Sequence, residues 1–208
     1  MVYFIGWLLF LIFFKLYLGL KVTGRENVPK KGAFIIVSNH ASYLDPILLG
    51  TSIYRSLNYM ARDTLFTRSL GGWIMRKVNS IPIKRDRGDL RAIKDSLEIL
   101  GRGKPLVMFP EGTRSRDGKL RKGKPGIGLI ISKAGVPVIP AYISGSHKVL
   151  PGNLTTLERN PVSVCIGKPI VFDKKFFEHK NKEAYQKVSD ELMRHIAILK
   201  EKYEGSSC

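Results

Sequence analysis

Past residue 20 the chain alternates short apolar runs with amphipathic stretches, and this alternation narrows the choice of fold more than any other feature. Ala33–Val37, Leu57–Met60, Ile81–Ile83, Leu106–Phe109, Val136–Ile143 and Val162–Ile166 have the length and composition of strands. Between them Leu90, Ile93, Leu97 and Leu100 recur at helical spacing, with Gly101 at the stop position. Tyr185, Val188, Leu192, Ile196 and Leu199 mark one face of a last helix, and a short helix is expected over Leu129–Lys133. Strands interleaved with helices predict an α/β fold, a single domain with a mixed, largely parallel sheet flanked by helices. No internal repeat or low-complexity linker interrupts residues 21–208, which read as one catalytic domain.

The first twenty residues are different in kind. Val2 to Phe14 carries no charge, and Leu16 to Leu20 continues the apolar character after Lys15. Twenty helical residues extend about 30 Å, roughly one hydrocarbon core. A cleavable signal peptide needs a basic stretch before the run and a small-x-small site after it, and neither is present. Residues 1–20 therefore read as an amino-terminal membrane-anchoring helix, spanning or steeply inserted, with the Lys15 amine reaching the headgroups. Lys21, Arg25, Lys30 and Lys31 follow the run. The positive-inside tendency then places the rest of the chain on the cytoplasmic face of the cell membrane.

Charge limits the partners. With 35 Lys+Arg against 17 Asp+Glu the chain carries +18, a surface that attracts anionic lipid headgroups, acidic carriers or nucleic acid. No recognised nucleic-acid motif accompanies the excess, and the apolar amino terminus has no place in a nucleic-acid module. Cys165 lies in an apolar run and Cys208 ends a polar tail, a pair that supports neither a disulfide framework nor a zinc site.

Two clusters carry chemistry. The run Ala33–Val37 leads into Ser38-Asn39-His40-Ala41-Ser42-Tyr43-Leu44-Asp45-Pro46. Asp45 before Pro46 is a natural helix start, an acidic cap followed by proline at the first helical position. The turn between can fold the Asp45 carboxylate back onto the His40 imidazole, fixing its tautomer and preparing a general base for a hydroxyl. The same spacing also fits a plain helix cap with His40 bonded to backbone. Ser42 as a nucleophile ranks lower, since no G-x-S-x-G elbow occurs.

The run Leu106–Phe109 ends in Pro110-Glu111-Gly112-Thr113-Arg114-Ser115-Arg116. Ligands of open α/β sheets gather beyond the carboxyl ends of strands, so two parallel strands would bring both clusters to one crevice. Arg114 offers a planar fork for a phosphate monoester. Gly112 lets backbone approach closely, Thr113 adds a hydroxyl, and Glu111 either accepts from a substrate hydroxyl or holds Arg114. Arg116, Lys119, Arg121, Lys122 and Lys124 read as a solvated basic run. The apolar cluster Leu65, Phe66, Leu70, Trp73 and Ile74, rimmed by Arg62, Arg68, Arg76 and Lys77, fits an acyl-chain slot or plain core.

Asn39-His40-Ala41-Ser42-Tyr43-Leu44-Asp45 resembles the N-H-x-x-x-x-D block of the glycerolipid acyltransferases, and Phe109-Pro110-Glu111-Gly112-Thr113-Arg114-Ser115 resembles their F-P-E-G-T-R-S block. Ile81-Pro82-Ile83-Lys84-Arg85 and Val136-Pro137-Val138-Ile139-Pro140 are similar to two lesser blocks, in the same order. The resemblance spans residues 35–142, and the bacterial 1-acylglycerol-3-phosphate acyltransferases form the most similar subgroup. It implies a lysophospholipid acceptor, lysophosphatidic acid foremost, and a thioester donor on acyl carrier protein or coenzyme A. It implies no metal or redox cofactor. It assigns His40 as general base with Asp45 as its partner, and Glu111, Gly112, Thr113, Arg114 and Arg85 to acceptor binding. Arg62 departs from the pattern, standing where relatives often carry lysine.

Overall fold

A computed structural model describes residues 2–66, 79–83, 90–150, 157–179 and 181–205. Helix α1 (Val2–Tyr17) leads into β1 (Lys21–Thr23), β2 (Ile35–Ser38), α2 (Asp45–Ser52), β3 (Asn58–Arg62) and β4 (Ser80–Ile83). There follow α3 (Leu90–Gly101), β5 (Leu106–Met108), α4 (Gly126–Ala134), β6 (Val138–Ser144), α5 (Ser146–Val149), β7 (Ser163–Ile166) and α6 (Lys182–Gly205). Seven strands form one sheet in the order β1-β7-β6-β2-β5-β3-β4. From β6 through β4 neighbouring strands run parallel, and β7 turns antiparallel to β6. The sheet is thus mixed and mostly parallel, as the alternation predicts.

Strand periodicity splits the core in two. Along β2 successive side chains point to opposite faces, so Phe34 and Ile36 join one cluster while Ile35 and Val37 join the other. All four are 0% exposed, which is why this segment reads as an uninterrupted apolar run: a central parallel strand is covered on both faces. Helices α1 and α2 cover the first face through Phe14, Leu18, Leu48, Leu49 and Ile53. Helices α3, α4 and α6 cover the second, with Val188, Leu192 and Ile196 of α6 lying over Val138 and Tyr142. Gly128 allows the α4–α6 approach, because a Cβ there would collide with the Tyr185 backbone.

Four local readings need correction. The α3 helix runs through Gly101, and the left-handed residue that closes the turn is Gly103 (φ 72°). Helix α4 starts at Gly126, three residues before its expected start at Leu129. Asp45 is the first residue of α2 and caps nothing there; the cap position falls to Leu44, which offers no side-chain bond. The spanning helix drawn over residues 1–20 is not found. Helix α1 has 16 residues, about 24 Å at 1.5 Å per residue, short of a roughly 30 Å hydrocarbon core. Among the described residues no helix is long and apolar enough to cross a membrane.

The physical reason lies at its carboxyl end. Phe14 and Leu18 are each 1% exposed and packed into the domain core, while Leu9 and Leu16 are 63% and 75% exposed. One side of α1 therefore belongs to the fold. Phe14→Ala should lower the free energy of unfolding by about 3–5 kcal/mol, whereas Leu16→Ala should stay within about 0.5 kcal/mol of the parent. Denaturant titration of both variants checks this. Equal effects would mean that α1 hangs free of the core.

Candidate functional site

The carboxyl ends of β2 and β5 lie side by side, with Val37 opposite Met108. The loops that leave them are joined directly: the Ser115 N–H donates to the His40 carbonyl at 2.7 Å. Both chemical clusters consequently meet at one sheet edge. Arg62 ends β3 at the same edge, with Ile83 of β4 opposite it. Arg85 lies outside the described residues, as do Leu70, Trp73 and Ile74 of the expected acyl slot.

His40 Nδ1 lies 2.8 Å from Asp45 Oδ2. The same oxygen accepts the backbone N–H groups of Ala41 at 2.6 Å and Ser42 at 2.7 Å. Asp45 is 0% exposed, and a buried carboxylate is tolerable only where donors replace its water. The plain-cap reading of Asp45 fails, since its side chain turns back on the turn before α2. The Phe109 ring stacks on the imidazole at 4.1 Å with planes 19° apart. His40 Nε2 makes no hydrogen bond to a described residue, and the side chain keeps 15% exposure. The ring is thus held on one nitrogen and open at the other. Asn39 anchors the strand end: its amide exchanges bonds of 2.9 and 2.8 Å with the Ile143 carbonyl and N–H. Ser42 is 1% exposed, and its Oγ accepts the Leu44 N–H at 3.3 Å, a turn role that leaves no elbow for a nucleophile.

Glu111 and Arg114 do not pair. Glu111 is 2% exposed and its Oε1 accepts the His40 N–H at 3.1 Å. It therefore joins the two loops and does not restrain the guanidinium. Burial pushes its carboxyl up to about 7, offset only in part by the backbone donors of His40 and Arg121. Arg114 instead lies over the Tyr43 ring, 3.3 Å from its centre, a cation–π seat with no acidic partner among the described residues. Gly112 is left-handed (φ 67°), and its N–H donates to the Phe109 carbonyl at 3.0 Å. That donor is committed to the turn, as are those of Ala41 and Ser42.

Three contributors escaped the sequence reading. Tyr43 sits inside the first motif, but its role as a platform appears only once the two loops are adjacent. Phe109 reads as a strand residue until its ring meets His40. His147 follows β6, the strand on the other side of β2, so its loop rises at the same edge. A Cβ on Gly118 (φ 72°) would lie 2.6–2.9 Å from the His147 ring, which places that ring directly beneath the loop after Arg114. Burial, then the charge of Lys148, holds the imidazole below the usual histidine range. Its signal in the sequence was an apolar run, Val136–Ile143, ending in a histidine-bearing turn.

The profile of the Acyltransferase family matches residues 19–144. The chain is 36% identical over 153 residues to a chloroplastic 1-acyl-sn-glycerol-3-phosphate acyltransferase of Brassica napus, covering 72% of this chain and 44% of that one. It is 29% identical over 191 residues to the 1-acyl-sn-glycerol-3-phosphate acyltransferase of Bacillus subtilis, covering 89% and 90%. The crystal structure of the 1-acyl-sn-glycerophosphate acyltransferase PlsC from Thermotoga maritima superposes with a TM-score of 0.71 at 32% identity, covering 87% of this chain and 72% of that one. The chain spans less than half the length of the Brassica napus and Arabidopsis thaliana relatives.

The displaced carboxyl of Glu111 gives a stability test. Its unfolded value is 4.5 and its folded value about 7, so the folded chain holds the proton more tightly. The stabilisation is complete below pH 4.5 and lost as pH rises through about 7. Glu111→Gln is neutral throughout. Relative to the parent, its Tm should climb between pH 5 and pH 8 in thermal melts. A constant difference across that window would return the carboxyl to its ordinary range.

Proposed function

The chain belongs to the Acyltransferase family, and from that premise we propose that it moves a fatty acyl group from a thioester donor to the sn-2 hydroxyl of lysophosphatidic acid, giving phosphatidic acid in phospholipid biosynthesis. The observation that carries this reading is the His40–Asp45 pair, closed on Nδ1 and open on Nε2, on a loop joined to the one bearing the Arg114 guanidinium, which has no acidic partner among the described residues. Relatives from plants and bacteria carry the 1-acyl-sn-glycerol-3-phosphate acyltransferase name, which favours a phosphate-bearing acceptor.

In this scheme Arg114 grips the acceptor phosphate, with Arg62 at the end of β3 and Arg85 assisting. The free hydroxyl lies against His40 Nε2. As the hydroxyl oxygen attacks the thioester carbonyl carbon, His40 takes its proton and Asp45 stabilises the imidazolium. The C–S bond then breaks, and the thiol of acyl carrier protein or coenzyme A leaves with that proton. Glu111 and Gly112 shape the turn that holds Arg114, and Thr113 adds a hydroxyl to it. Holding acceptor and donor together supplies a large share of the acceleration. Asp45→Asn should cut kcat by about 10²–10⁴-fold, and His40→Ala should remove transfer altogether while the fold persists. Steady-state assays with lysophosphatidic acid and glycerol 3-phosphate, each with both donors and with products identified by mass, check the scheme. Wild-type turnover in His40→Ala would end it, and acylation of glycerol 3-phosphate alone would move the acceptor.

Membrane association follows from the outward side of α1. Leu8, Leu9, Phe10, Ile12, Phe13 and Leu16 are between 40% and 75% exposed. Such a surface, on a chain carrying +18, suits the headgroup layer of an anionic leaflet on its cytoplasmic face. Leu9→Asp together with Leu16→Asp should abolish flotation with anionic vesicles yet preserve the melting temperature. Undiminished flotation would place the lipid contact elsewhere.

A further inference from the structure

The basic run after Arg114 holds one residue that is not simply solvated. A Cβ on Gly112 would lie 3.0 Å from Lys124 Cδ, 3.2 Å from Cε and 3.3 Å from Nζ. The end of the Lys124 side chain therefore runs along the bare Cα of the turn that carries Glu111, Thr113 and Arg114. Its backbone is fixed from several sides. The Lys124 N–H donates to the Pro110 carbonyl at 2.8 Å. The Gly123 carbonyl accepts Gln186 Nε2 at 2.9 Å, and a Cβ at Gly123 would strike Ser189. Pro125 restricts Lys124 to extended backbone and leads directly into α4. The residue itself is exposed, and no described carboxylate pairs with its ammonium.

We propose that Lys124 is a second cation for the acceptor phosphate, and that Lys124 with Arg114 selects a phosphate monoester over a phosphodiester headgroup. The inference rests on the acyltransferase reading above and deepens it. A monoester presents three terminal oxygens and about −1.5 to −2 charges near neutral pH. A guanidinium fork takes two of those oxygens, and a compact ammonium with freely rotating donors suits the third. A phosphodiester has one charge and two terminal oxygens, both satisfied by the fork alone. The second cation then has nothing to bind, and its preference for the monoester is a difference in affinity between two acceptors that share a glycerol, an acyl chain and a free hydroxyl. Gly112 contributes to this seat, since a side chain there would press on the end of the lysine and shift it.

Lys124→Gln and Lys124→Arg, made in the full chain, are compared on lysophosphatidic acid and on lysophosphatidylglycerol of the same acyl chain. Lys124→Gln should raise KM for lysophosphatidic acid about tenfold, as expected for one charge-assisted bond, with the loss in KM and not in kcat. The loss on lysophosphatidylglycerol should be several-fold smaller, and Lys124→Arg should recover most of the affinity. Equal losses on both acceptors, a rise confined to the donor KM, or no change would each overturn the proposal. Calorimetric binding of the two lipids to His40→Ala, with and without Lys124→Gln, separates this from the reaction itself. Selective weakening there would uphold Lys124 even if no transfer were seen. Transfer with unselective binding would sink Lys124 alone.

Discussion

A single carboxylate oxygen, Asp45 Oδ2, accepts from the His40 ring and from two successive backbone N–H groups. The imidazole and the turn that carries it are oriented through it. An anion with no solvent exposure must be surrounded by donors, and here the donors are the ring it orients and the turn that delivers that ring. The two requirements coincide, so local folding and imidazole alignment are one event. The remaining degrees of freedom of His40 are removed by Phe109 against the ring face, by Glu111 on its N–H and by Ser115 on its carbonyl. Those three residues all belong to the segment after β5. A histidine contributed by one strand is therefore locked by its neighbour.

Such locking depends on the sheet. Strands β6, β2, β5, β3 and β4 run in one direction, so their carboxyl ends share an edge. Loops separated by about seventy residues of chain become adjacent as a result of strand order. Helix α6, last in sequence, closes the face opposite α1 and α2 and carries Gln186 and Ser189 to the segment around Gly123. Helix α6 thereby fixes the base of the loop that carries Glu111 and Arg114.

Much of this was legible beforehand. Six of the seven strands are long enough, or apolar enough, to stand out. Ile93, Leu97 and Leu100 of α3 and Val188, Leu192 and Ile196 of α6 mark the sides turned to the core, whereas Leu90 at the start of α3 is 80% exposed. Strand β1 was missed because three residues, Lys21–Thr23, at a sheet edge carry almost no periodic signal. His40 and Asp45 were readable as a pair because a turn of four residues brings them together without help from the rest of the fold. The partners of Arg114 and Glu111 were not. Proximity in sequence left open whether Glu111 holds Arg114 or meets a substrate hydroxyl, whereas tertiary neighbours on the β2 loop, Tyr43 and His40, lie against them. Lys124 was hidden for the same reason: a lysine in a basic loop looks solvated until the glycine it lies against is known. The extent of α1 was misjudged because hydropathy cannot tell a side turned to lipid from one turned to core.

One joint between the two loops is made by main chain on both sides, the Ser115 N–H on the His40 carbonyl. The bond itself needs only an N–H at position 115, which proline lacks, while the burial of Ser115 limits the size of the side chain there. What the joint does specify is spacing. The number of residues from the end of β5 to position 115 sets where that amide falls. An insertion or deletion within Pro110–Arg114 would shift the whole register of the loop against the histidine turn. Drift in this stretch is consequently held to a fixed number of residues.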